Sequence, residues 1–333
     1  MTRVLAGLAA PGSDCALLDF PDHANVGDSA IWSGERRFIR RHGLRLRYVS
    51  DLSTYSAAVL RRAMPRGGVV FIHGGGNFGT VWPAHQQHRE RVLRELADYR
   101  VVQLPQSLYF DSSEALRATS ECVRAHPDFT LLVRDRASLR IAQQLGARAV
   151  LCADAALFLQ GELNRAPADV DCFILARSDK ERAVDGLDAG FAAGFTVAAA
   201  DWLDEADSFA HVAARAVRRR ALSRHAHHAI FQRTLAAQWD RLAATRVRRG
   251  CRLLSRGRVV VTDRLHAHIL CTLLGIPHVV LDNSYGKISS FMDEWTGTSP
   301  LVRRAGGLEE AAALCGELLR TMAHPRMPVA DPA

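Results

Sequence analysis

A helical membrane span is missing from the sequence: no window comes near the roughly eighteen uninterrupted apolar residues that one requires. The opening stretch MTRVLAGLAAPGSDCALLDF has one arginine and a weak apolar run broken by Gly, Pro and Ser, so it does not read as a secretory signal. A cytoplasmic protein, at most peripheral at the inner face of the cell membrane, is the expectation. The cysteines, at 15, 122, 152, 172, 251, 271 and 315, are odd in number, scattered and never in a C-x-x-C spacing, which favours reduced thiols over disulfides or zinc. No P-loop occurs and the glycine segment HGGGNFG (73–79) is not read as a dinucleotide fingerprint, so neither a dinucleotide nor a nucleoside triphosphate is expected, and no cofactor is expected. Acidic residues are nearly lacking from one long segment: between Ser208 and Thr262 only Asp240 is acidic, while arginines recur from Arg215 to Arg258. Such a face suits nucleic acid, anionic lipid headgroups or a diphosphate-linked substrate, and it equally fits a solvated basic helix face.

What is present is an ordinary globular composition, 48% hydrophobic and 23% charged, over 333 residues, enough for two domains. Short runs rich in β-branched residues alternate with longer helical patterns, which argues for βα units and parallel sheets in both halves. Strands are expected at 15–20, 44–49, 68–72, 100–104, 129–134 and 148–152, then at 171–177, 195–200, 258–263 and 277–282. The polar stretch 161–170 reads as a crossing between lobes, giving domains at 1–165 and 166–323 and a flexible tail at 324–333. The expected fold is α/β, two Rossmann-like lobes of the GT-B kind, with ligands at the carboxyl ends of strands facing an interlobe cleft.

Strand ends are therefore where chemistry is sought. HGGGNFG (73–79) follows a strand, and Gly75, Gly76 and Asn77 either bring backbone amides to a ligand or make a tight turn. Asn25 and Asp28 head the next helix, either as caps or as a loop around substrate. Arg134 and Arg136 flank Asp135 at another strand end, where two guanidinium forks suit a carboxylate or phosphate, or a local pair caps the helix. Arg177 stands in a similar setting. In TDRLHAH (262–268), Arg264 supplies permanent charge at a helix start that already favours anions, and His266 can move a proton near neutral pH. His266 and His268 are two apart and point in different directions on a helix, so no metal site is expected there. His268, and Tyr285 and Lys287 after the next strand, are further candidate substrate contacts of this pocket.

In order, N-V-G-D (25–28), F-I-H-G-G-G-N-F-G (71–79), L-P-Q-S (104–107), V-R-D-R-A-S (133–138), C-A-D-A-A-L (152–157), T-D-R-L-H-A-H (262–268) with G-I-P (275–277), and the segment from Tyr285 to Lys287 resemble the polysaccharide pyruvyl transferase family. The resemblance implies a GT-B-like enzyme that moves the enolpyruvyl skeleton of phosphoenolpyruvate onto a sugar of an exopolysaccharide or cell-wall glycan precursor, giving a pyruvate ketal and phosphate. It implies Arg134 and Arg264 as donor-binding arginines, with Arg136 a further candidate, and His266 as catalytic acid and base. By extension His85 and His88 contact the acceptor sugar, and the 215–258 arginines hold a lipid-diphosphate-linked oligosaccharide, or the protein itself, at the membrane face; no nucleic acid is involved. Cys152-Ala153-Asp154 departs from relatives that often carry a proline before the aspartate. Two rivals stay open: a nucleotide-sugar glycosyltransferase of GT-B architecture, and a basic protein that binds nucleic acid or membrane without catalysis.

Overall fold

The computed structural model describes residues 2–64, 67–177, 194–203, 205, 209–218, 220, 226–282 and 286–323. The tail at 324–333 and Tyr285 lie outside the described residues, and of Lys287 only the backbone is described, at the start of a helix. The chain divides into two compact units, residues 1–160 with 203–248, and residues 161–202 with 249–333.

The first unit contains β1 (Asp14–Leu18), β2 (Arg45–Val49), β3 (Val69–Ile72), β4 (Gly75–Gly79), β5 (Arg100–Tyr109), β6 (Phe129–Val133) and β7 (Arg148–Leu151). Between them run α1 (Thr2–Ala6), α2 (Val26–Arg41), α3 (Ala57–Ala63), α4 (Pro83–Glu95), α5 (Ser113–Ala125) and α6 (Arg136–Gln144). The strands form one sheet of order β2-β1-β3-β5-β6-β7, every pair parallel, with β4 added beside β5. Both faces of a parallel sheet are covered, so its strands are apolar throughout, as VVFI in β3 shows. Alternation divides them: Leu17, Phe71 and Val102 pack toward Trp32 and Phe38, while Leu18, Ile72 and Val101 pack toward Leu60, Val92 and Leu93. Local signals start the helices where the chain needs them. Asn25, Ser112 and Asp135 cap α2, α5 and α6 with their side chains, and Pro83 opens α4.

The second unit holds β8 (Val170–Leu175), β9 (Val197–Ala200), β10 (Gly257–Thr262), β11 (His278–Leu281) and β12 (Val302–Ala305), in the parallel order β12-β11-β10-β8-β9. The remaining helices are α7 (Phe209–Arg218), α8 (Ala229–Ser255), α9 (Leu265–Leu274), α10 (Lys287–Trp295) and α11 (Leu308–Ala323). Gly275, at φ 68°, ends α9 in the left-handed conformation that glycine adopts without strain.

The expected pair of Rossmann-like units is therefore what the chain forms, but a single division near residue 165 does not describe it. Residues 203–248 belong to the first unit. The reason is apolar: Ala214, Leu235, Trp239 and Leu242 join the core around Trp32 and Phe20, and the Trp239 ring stacks on Phe20 at 4.6 Å. Asp240 reinforces this by accepting from Arg36 at 2.9 Å and from the Trp32 indole at 3.1 Å.

Candidate active site

In an open parallel sheet, ligands gather at the carboxyl ends of the two strands where the order reverses direction. In the first unit that point lies between β1 and β3, and the residues following these strands are Asp19 and His73. Asp19 is buried and adopts φ 69°, a left-handed conformation costly for a residue with a side chain. Its Oδ2 accepts from His85 Nδ1 at 2.9 Å, and its Oδ1 is buried without a hydrogen-bond partner. Burial opposes ionisation of Asp19, but the His85 hydrogen bond and the nearby His88 and His73 rings outweigh it and hold its pKa at about 2.

His73 donates from Nδ1 to Glu35 Oε2 at 2.7 Å, and Glu35 Oε1 accepts from the Gly74 amide at 2.8 Å. Burial works against a charged His73 ring, yet the Glu35 carboxylate prevails and raises its pKa to about 9. Burial also pushes Glu35 above the usual carboxylate range, so the two groups titrate as a pair. His73 Nε2 is buried and has no hydrogen-bond partner.

The glycine segment is built for close packing against neighbouring backbone. β4 pairs with β5, and a Cβ on Gly79 would stand 1.9 Å from the Tyr109 carbonyl oxygen, at a φ of +110°. Gly75 has φ +128° and lies beside Asp28, with Oδ1 at 3.5 Å from its virtual Cβ. Asn77, expected at substrate, instead has its side-chain oxygen taken by Arg89 and Gln106, each at 2.9 Å. Asn25 caps α2 by accepting from Gly27 N at 3.0 Å and donates to Asp28 at 2.9 Å, which is a local structural role. His85 remains partly exposed, whereas His88 is buried edge-on to the Tyr55 ring, where desolvation lowers its pKa to about 4; it is a packing residue.

Arg134 is likewise claimed from within. Only 2% exposed, it donates through Nη1 to Asp154 at 2.6 Å and through Nε to Ser107 at 2.8 Å. Of the alternative of a local Arg–Asp pair capping the helix, the cap is present, with Asp135 accepting from Ser138 N at 2.7 Å, while Arg134 bonds Asp154. Arg136 is exposed on the first turn of α6.

In the second unit the order reverses between β8 and β10, so Arg177 and the Asp263-Arg264 pair stand at the corresponding point. The Arg177 amide donates to Asp263 Oδ1 at 2.9 Å, and burial raises the Asp263 carboxyl above its usual range. Arg264 is the N-cap of α9, and its own side chain makes no capping hydrogen bond. Its Nη2 contacts both oxygens of Asp201, at 2.6 and 2.7 Å, and its guanidinium lies 5.6 Å from the Trp202 ring centroid. His266 follows in the first turn, partly exposed.

His268 is completely buried, which removes it from the candidate ligand contacts. The Ile276 carbonyl can only accept, so His278 Nδ1 carries the proton, His278 Nε2 accepts from His268 Nδ1 at 2.7 Å, and the Thr296 hydroxyl donates to His268 Nε2 at 2.8 Å. Desolvation holds both rings neutral, with pKa values lowered to about 3 for His268 and about 4 for His278.

Several arginines of the arginine-rich segment are engaged by groups of the chain itself, some of them at the surface. Arg218 pairs with Asp51, Arg246 with Glu205, Arg256 with Asp169 and Arg258 with Asp171, while Arg249 donates to the Trp202 carbonyl. Among the described residues, no group of three His, Cys, Asp or Glu is arranged to hold a metal, no helix is long and apolar enough to cross a membrane, and all seven cysteines are free thiols.

Asp19, Glu35, His73, Asp201 and Asp263 were not singled out from sequence. His73, Asp201 and Asp263 directly follow expected strands or fall at their last residue and Asp19 is the next-to-last residue of one, so the strand-end rule reaches these four; Glu35, in mid-helix, has no such signal.

The sequence pattern of polysaccharide pyruvyl transferases matches residues 25–285. Pyruvyl transferase 1 of Schizosaccharomyces pombe is 33% identical over 302 residues, covering 84% of this chain and 69% of that protein. The Bacillus subtilis protein named "Putative pyruvyl transferase EpsO" is 28% identical over 296 residues, covering 87% and 88% of the two chains. A crystal structure of an uncharacterized Klebsiella pneumoniae protein shares the fold, with a TM-score of 0.55 at 17% identity over 91% of this chain and 96% of that one. Sequence motifs, two parallel α/β units and these relatives agree: the chain belongs to the polysaccharide pyruvyl transferase family.

Proposed function

We propose that the protein transfers pyruvyl from phosphoenolpyruvate onto two hydroxyls of a glycan precursor, forming a pyruvate ketal and releasing phosphate. The observation that carries this reading is that Arg264, at the N-cap of α9, and His266, in its first turn, stand together at the strand-order reversal of the second unit. A guanidinium and the positive end of a helix together attract a carboxylate or phosphate, and a histidine beside them can deliver a proton.

In the proposed path His266 protonates the C3 methylene, and one sugar hydroxyl attacks the oxocarbenium-like C2. Its proton restores the histidine. A second hydroxyl then displaces phosphate from C2 and its proton leaves with that group, so the balance closes without a redox step. Arg264 exchanges part of its hold on Asp201 for the donor anion. His85, polarised by Asp19, contacts the acceptor, and no metal or organic cofactor takes part. The acceptor is a lipid-diphosphate-linked oligosaccharide met at the cytoplasmic membrane face.

Calorimetry with phosphoenolpyruvate tests the assignment. Arg264→Ala should weaken binding at least tenfold, since it removes a charge-assisted contact. His266→Ala should leave donor affinity nearly intact while turnover falls roughly a hundredfold to ten-thousandfold. Undiminished affinity in Arg264→Ala, or thermal protection by a nucleoside diphosphate sugar and none by phosphoenolpyruvate, overturns the reading.

A further inference from the structure

The α7 helix and the start of α8 carry an apolar face that the core of the first unit leaves uncovered. On α7, Ala214 joins that core and Arg218 reaches Asp51 and Ser53, which fixes one side of the helix inward. At 100° per residue, Phe209, Val212, Ala216 and the following Arg220 fall on the opposite side. Phe209 is 87% exposed and Val212 56%. On α8, Ile230 is 80% exposed, and Arg233 and Thr234 share its side of the helix and are exposed as well. A groove of about 570 Å³ joins the two, lined by Ala216, Val217, Arg220, Ile230 and Phe231.

We propose that this face docks on an anionic lipid surface, with Phe209, Val212 and Ile230 entering the headgroup boundary and Arg220 and Arg233 meeting lipid phosphates. Large apolar side chains grouped on one exposed surface mark a binding face, and a cationic rim around them is the pattern of interfacial helices. Charge selects the partner. Asp240 is the only acid between Ser208 and Thr262, and it is held by Arg36. A second copy of the chain, docked through the same face, would set arginine against arginine. Single-stranded nucleic acid stacks on runs of exposed aromatic platforms, whereas here the large exposed apolar side chains are one phenyl ring, Val212 and Ile230, with the His228 imidazole beside the groove. The inference narrows the broad arginine-rich segment to two short helical stretches, because Arg246, Arg249, Arg256 and Arg258 are engaged elsewhere. It does not rest on the transferase reading.

The test is co-sedimentation of the full chain with phosphatidylcholine vesicles, with and without roughly one third phosphatidylglycerol, at low and high salt. The wild type should bind the anionic vesicles at low salt and much less at high salt or without phosphatidylglycerol. Arg220→Gln/Arg233→Gln should lower the partition coefficient about thirtyfold, and Phe209→Ser/Ile230→Ser about tenfold or more. All four positions are exposed, so thermal unfolding should not change. The proposal fails if anionic vesicles are not bound at low salt, or if Phe209→Ser/Ile230→Ser binds them as well as wild type. It also fails if an RNA oligonucleotide displaces the vesicles while binding more tightly, or if the two serine substitutions abolish a dimer in solution and leave vesicle binding unchanged. None of these assays needs turnover, so their failure leaves the transferase reading to its own test.

Discussion

Removing the charge of Asp154 should unfold the first unit far more readily than its small size suggests. Asp154 is fully buried and its Oδ2 lies 2.6 Å from Arg134 Nη1, with Ser107 as a further partner of the guanidinium. In Asp154→Asn the Oδ1 cap on Ala156 N, now at 2.8 Å, can persist, so the substitution isolates the loss of charge. It leaves a guanidinium, 2% exposed, without its carboxylate, and breaking one half of a buried ion pair costs about 3–5 kcal/mol. For a unit of about 200 residues this corresponds to a fall in Tm of roughly 6–20 °C. Arg134→Met/Asp154→Asn removes the stranded charge and should return to within about 1.5 kcal/mol of wild type. Calorimetric scans of the three proteins, each with a circular-dichroism control, make the cycle. A loss below about 1 kcal/mol in Asp154→Asn, or a double variant as damaged as the single one, would refute the structural role of this pair. Arg134 would then return to the donor-binding role that family resemblance gives it.

Two further outcomes follow from buried histidines. His73 has a folded pKa of about 9 against an ordinary 6.5, so its contribution to stability is fully present below about 6.5 and lost as the pH rises through 9; the urea midpoint of His73→Gln should change less over that window than that of wild type, and equal slopes would contradict the Glu35–His73 pair. Thr296→Val deprives His268 Nε2 of its donor in a buried site and should cost about 1–3 kcal/mol, read by urea unfolding, with kcat and KM unchanged; a neutral result would refute the His278–His268–Thr296 chain.

The sheets were legible in the sequence because parallel strands buried on both faces leave continuous apolar runs, such as GVVFI and RVVVT. β4 was not, because GGNFG has no strand composition; it pairs with β5 only because Gly79 allows the Tyr109 backbone to come close. Residues 203–248 also escaped, since the apolar positions of a helix declare that it is packed and not which sheet it packs on. The site divides by the same logic. The placement of the candidates Arg264 and His266 could be read because it depends on local order, a strand end followed by a helix start.

What the sequence conceals is the competition for each charge. Arg134 and Arg264 look alike as strand-end guanidinium groups, yet each meets an aspartate from a distant part of the chain, Asp154 and Asp201. The two pairs have different settings. Arg134 is buried after an inner strand, beside Ser107 and the Asp135 cap of α6, whereas Arg264 is itself the N-cap of a helix and its side chain makes no capping hydrogen bond. An incoming anion at Arg264 therefore gains the helix terminus as well as the guanidinium, and that gain can offset the loosening of Asp201; beside Arg134 the terminus of α6 already holds the Asp135 carboxylate, and Asp154 should keep its hold.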